Sequence, residues 1–159
     1  MAPAGGRHGE CEAKLVTALG VQMGAIGRVY TGDTGFLLRE QPDELVSPDV
    51  AFVRHDRLPP PAERIRYLRV VPDLVVEIRS PNDAETDVRA KLNLYVSTGV
   101  PLIWLVDPRE QTVEELRPAG AGSGGAPVAS RLLRADTGDW LEGDDVLPGF
   151  RLLVQQVFD

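Results

Sequence analysis

The chain has 159 residues, 43% of them hydrophobic, and a formal net charge of −7. That length can bury a sizeable core as one domain, and no apolar run approaches the roughly 20 residues of a membrane span. The acidic balance argues against strong nonspecific affinity for nucleic acid, and the lone Cys11 excludes an internal disulfide or a cysteine-based zinc site. The start, MAPAGGRHGE, has no apolar signal-peptide core, so a soluble cytoplasmic protein is expected.

From Glu10 to Ala25, Leu15, Val16, Leu19 and Met23 recur on one face of a helix, which Gly24 and Gly27 end. Gly27 to Arg39 reads as strands around a Thr31-Gly32-Asp33 turn. Residues 41–49 (QPDELVSPD) read as a loop, Val50 to Val53 as a short strand, and His55 to Ala62 as a Pro-rich loop. The basic segment Glu63 to Val71 leads into the central stretch.

Asp73 to Arg79 is apolar and β-branched and suits a strand. Alternation then puts Asp73, Val75, Glu77 and Arg79 on one face and Leu74, Val76 and Ile78 on the other. Ser80-Pro81-Asn82-Asp83 supplies turn and cap residues. A helix from about Ala84 to Thr98 follows, closed by Gly99, and Leu102 to Val106 forms the next strand. A strand-helix-strand unit of this size implies a parallel pair with a crossover helix.

After an Arg109-Glu110-Gln111 turn, Thr112 to Arg117 alternates like a strand and makes a hairpin with 102–106. Ala119 to Pro127 reads as a flexible loop tip, too poor in apolar groups to order itself. Val128 to Arg134 and Trp140-Leu141 read as further short strands, and the apolar tail VLPGFRLLVQQVF should dock on the core. No internal repeat and no domain-dividing linker is visible.

The candidate chemistry rests on Asp49, Glu77 and Lys91, with Arg79 beside them. Glu77 stands in the middle of a very apolar strand. Asp49 opens a neighbouring strand. Asp87, Lys91 and Tyr95 share one helical face. Two carboxylates on neighbouring strands can hold a hard cation such as Mg²⁺ or Mn²⁺, and a nearby Lys can stabilise charge on a phosphate. Bland readings fit each residue too: Glu77 as an ion-pair partner of Arg79 or Lys91, Asp49 as a turn residue, and Lys91 paired with Asp87. Between Asp49 and Lys91 there are eight acidic and eight basic residues. Its basic members, Arg54, Arg57, Arg64, Arg66, Arg69, Arg79, Arg89 and Lys91, either form a positive rim or are ordinary surface charge.

SPDVAFV, PDLVVEIRSPND, DVRAKLNLYVSTGVPLIWLVDP and LPGFRL, in that order, resemble the bacterial Uma-type family of restriction-endonuclease-like proteins, within the PD-(D/E)xK nuclease superfamily. The resemblance runs from about His8 to the end. It implies an α/β (α+β) fold, a mixed, partly parallel sheet flanked by helices, and a metal-dependent endonuclease acting on nucleic acid, DNA above RNA. It places the superfamily Asp on Asp49 and the Glu on Glu77, both as metal ligands, and relocates the catalytic Lys to Lys91. The usual Lys position holds Arg79, a charge stabiliser and not a base. Asp73 is a secondary candidate as a third metal contact, and Glu12 as a first-helix carboxylate. His8 is read as a helix-start residue. Relatives imply a homodimer and a longer start than MAPAGGR. The alternative is an inactive nuclease-like fold serving as a binding or assembly module, because fold does not fix function.

Overall fold

The computed structural model describes residues 3–118 and 128–159, so the expected loop tip at 119–127 lies outside the described residues. In chain order the elements are α1 (Gly6–Met23), β1 (Gly27–Thr31), β2 (Phe36–Arg39), β3 (Glu44–Val46), β4 (Val50–Arg54), β5 (Leu74–Ile78), α2 (Glu85–Thr98), β6 (Leu102–Asp107), β7 (Thr112–Pro118), β8 (Val128–Arg134), β9 (Trp140–Gly143), β10 (Leu147–Leu153) and α3 (Val154–Phe158). Six strands form the main sheet in the order β1-β4-β5-β6-β7-β8. Only β5 and β6 run parallel, joined by α2, and every other pair in that sheet is antiparallel. This is the α/β, restriction-endonuclease-like arrangement: a mixed sheet flanked by helices.

Alternation along the strands feeds two cores. Val50, Phe52, Leu74, Val76, Ile78, Trp104 and Val106 point to the side covered by α1 and α3. Ala51, Val53, Val75, Ile103 and Leu105 point to the side covered by α2, where Leu92 and Tyr95 meet them. Central strands buried on both faces read as continuous apolar runs, as β5 and β6 do.

The first helix begins four residues before the expected Glu10. His8, Cys11, Leu15, Leu19 and Met23 make one buried stripe at three- and four-residue spacing, so its first turn has something to pack against. α2 stops at Gly99, whose φ of 91° is the left-handed conformation that favours glycine. The strands expected on either side of Thr31-Gly32-Asp33 form; β1 joins β4, and β2 pairs with β3 in a separate two-stranded sheet. One expectation needs correction. β3 lies inside 41–49, read from sequence as loop; three residues are too short to show a period, and pairing with β2 supplies their order. The tail docks as expected, with Leu147, Phe150, Val154 and Val157 buried in the α1 core.

Candidate functional site

β5 delivers Glu77 to the α2 side of the sheet. The carboxylate is 7% exposed and both oxygens have donors from α2. Lys91 Nζ lies 2.9 Å from Oε2, and Tyr95 donates its hydroxyl to Oε1 at 2.5 Å. Both donors arrive together because residues four apart on a helix share a face. Burial raises the Glu77 pKa; the Lys91 charge and the hydrogen bonds from Tyr95 and Lys91 pull it back, and the Asp49 charge raises it again, leaving it at about 7. Burial, and then the Glu77 carboxylate, push the Tyr95 hydroxyl well above its ordinary range.

Asp49 reaches the same region from β4. Val50 is paired with Val76 in the antiparallel register, which puts Asp49 beside Glu77. Its Oδ2 accepts the Ile78 N–H at 2.7 Å and lies 3.3 Å from His8 Nε2. His8 is therefore more than the helix-start residue expected from sequence. It is buried in the first turn of α1, and its Nδ1 has no hydrogen-bond partner. Glu12, one turn on, comes within 4.0 Å of that nitrogen and reaches no other candidate.

A cleft of about 220 Å³ opens over Glu77, walled by Arg79, Asn82, Asp83, Asp87 and Lys91 among others. Asp49 is not among its lining residues. Arg79 is held by Glu85 at 2.8 Å and by Asp107 at 3.7 Å. Asp73 is not brought to the site. It lies four residues along the strand from Glu77, on the order of 13 Å away. Its carboxylate is used where it stands, accepting the Arg54 N–H at 2.8 Å and Arg57 at 2.6 Å.

The positive rim does not form. Arg54 pairs with Asp56, Arg57 with Asp73, Arg69 with Glu40 and Arg89 with Glu85 and Glu114, while Arg64 donates to the Pro59 carbonyl. Among the described residues seven of the eight cations find an acceptor within the fold, Arg66 being the exception, and only Arg79 and Lys91 line the cleft. Among the described residues, no three His, Cys, Asp or Glu side chains gather to hold a metal ion, and no helix is long and apolar enough to cross a membrane.

A family model described as "Uma2: Putative restriction endonuclease" matches residues 1–155. Among solved structures, the fold is similar to that of a protein from Anabaena variabilis described as "a putative nuclease belonging to DUF820", with a TM-score of 0.81 and 19% sequence identity, over 99% of this chain and 83% of that one. At that identity the likeness is one of fold. No sequence among the curated proteins matches this chain.

Proposed function

This chain belongs to the Uma2 family, and we propose that it acts as a binding module, a nuclease-like fold that engages nucleic acid without cutting it. The closure of Glu77 carries this reading. Lys91 and Tyr95 occupy both of its oxygens, and Asp49 stands outside the wall of the cleft. The cations nearest the cleft are also engaged, Lys91 by Glu77 and Arg79 by Glu85 and Asp107. A phosphate entering the cleft would meet cations already engaged, in a network with one more acidic than basic group. Binding should therefore be modest and salt-dependent. Fluorescence anisotropy of labelled duplex and single-stranded DNA and RNA, in chelator and over a salt series, tests this. Retention that weakens as salt rises, at a log–log slope no steeper than about −3, agrees with few phosphate contacts. Salt-insensitive binding, or none to any of the three, contradicts it.

One observation favours a second reading, Mg²⁺- or Mn²⁺-dependent hydrolysis of phosphodiester bonds. The fold gathers Asp49, Glu77 and Lys91 at the same end of β5 although they come from three elements. Mg²⁺ commonly takes only one or two carboxylates, with water and substrate phosphate completing its shell, so this pair fits it in that sparse mode. The hydrogen bond to Asp49 falls on Oδ2, and the Lys91 side chain is 44% exposed, so its ammonium can turn toward solvent; Glu77 is buried, so the ion would have to take the place of the Lys91 charge. Asp49 and Glu77 would then hold the ion, helped by the Ile78 carbonyl. When bound, the ion would supply charge neutralisation and an activated water. Lys91 would turn to the scissile phosphate, with Arg79 secondary.

A further inference from the structure

The least expected contact at the site comes from α1. His8 is 9% exposed, and its Nε2 lies 3.3 Å from Asp49 Oδ2, the oxygen that also accepts the Ile78 N–H. A backbone donor from β5 and an imidazole nitrogen from α1 thus converge on one oxygen. Its other ring nitrogen is buried without a hydrogen-bond partner. A buried imidazole nitrogen left unpaired costs stability that a leucine of similar volume would not. Packing alone therefore gives no reason for histidine here, whereas a polar contact with Asp49 does.

We infer that His8 is a positioning residue for Asp49. With Oδ2 fixed by the imidazole and by the Ile78 N–H, the carboxylate cannot rotate freely, and Oδ1 is the oxygen left for a ligand. α1 then does more than cover the sheet. Its first turn sets the orientation of an acid delivered by β4, and so ties docking of the N-terminal helix to the state of the site. Glu12 stands behind His8, 4.0 Å from Nδ1.

Only one arm of the test rests on the hydrolysis reading. His8→Leu keeps the volume and removes the donor; His8→Gln restores a donor of similar reach. The metal-free arm follows the Ile78 amide proton by NMR, since its shift reports the hydrogen bond to Asp49. It should move upfield in His8→Leu and return toward wild type in His8→Gln. The second arm titrates Mn²⁺ by calorimetry. Loss of a partner that orients a ligating carboxylate typically costs about 10- to 100-fold in affinity, expected in His8→Leu and not in His8→Gln. An unmoved Ile78 amide in His8→Leu overturns the inference. So does a shift that His8→Gln fails to restore, because the effect would then be packing. Wild type that binds no Mn²⁺ removes the hydrolysis reading and leaves the amide arm to decide the role of His8.

Discussion

Glu77 concentrates the electrostatics of the molecule in one side chain. Its carboxyl titrates near 7 in the folded protein and near 4.5 when free, chiefly because burial disfavours the anion. The folded state thus binds this proton more tightly than the unfolded chain, and stability must fall as pH rises between those values. At 1.36 kcal/mol per unit, the loss from this one group approaches about 3 kcal/mol. It is absent below about pH 4.5 and complete above about 7. Glu77→Gln has no such proton to lose, so urea unfolding from pH 5 to 8 should show a markedly flatter profile than wild type. Equal slopes would mean that Glu77 is not the group responsible. Tyr95 acts against the burial, because its hydrogen bond favours the carboxylate. Tyr95→Phe should raise the Glu77 pKa further, as followed by the carboxyl carbon shift in an NMR titration; a pKa that stays or falls would contradict the hydrogen-bond geometry.

At the scale of elements, β5, α2 and β6 form the unit that carries the site, and their end points matter. Gly99 ends α2 in a left-handed conformation and lets Val100 turn back toward β6, its N–H bonded to the Tyr95 carbonyl. Gly99→Ala should cost about 1–2 kcal/mol, seen as a lower urea midpoint; an unchanged midpoint would mean the turn carries no strain for a side chain. This unit was the most legible part of the sequence. Alternation in 73–79, the helical spacing of Lys91 and Tyr95, and Gly99 are all local signals, and the parallel pairing follows from the length of the crossover. What stayed hidden depends on partners distant in sequence. No local pattern says that 44–46 pairs with β2, or that β1 crosses to β4. Nothing near His8 announces Asp49, since that contact exists only once α1 lies over the end of the sheet. One clue was present: His8 and Cys11 continue the Leu15, Leu19, Met23 stripe, which implies a buried histidine and hence a partner for it.

At the scale of the molecule, most of the cations around the cleft are paired within the fold. Arginines that look clustered between Asp49 and Lys91 are matched partly by acids of the same segment, as Arg57 by Asp73, and partly by distant ones, as Arg69 by Glu40 and Arg89 by Glu114. With a net charge of −7, the cleft gains no long-range attraction for a polyanion. The fold is that of a nuclease-like family, while the resting site is closed on itself; these two facts give the binding-module reading its content. The most direct measurement incubates the purified protein with Mg²⁺, and separately Mn²⁺, and end-labelled duplex DNA, single-stranded DNA and RNA, beside Glu77→Ala and a chelator control. The account predicts intact strands in every lane, with the protein still folded and retaining nucleic acid at low salt. Cleavage that disappears both with chelator and in Glu77→Ala would contradict it and make Asp49, Glu77 and Lys91 a working hydrolytic centre.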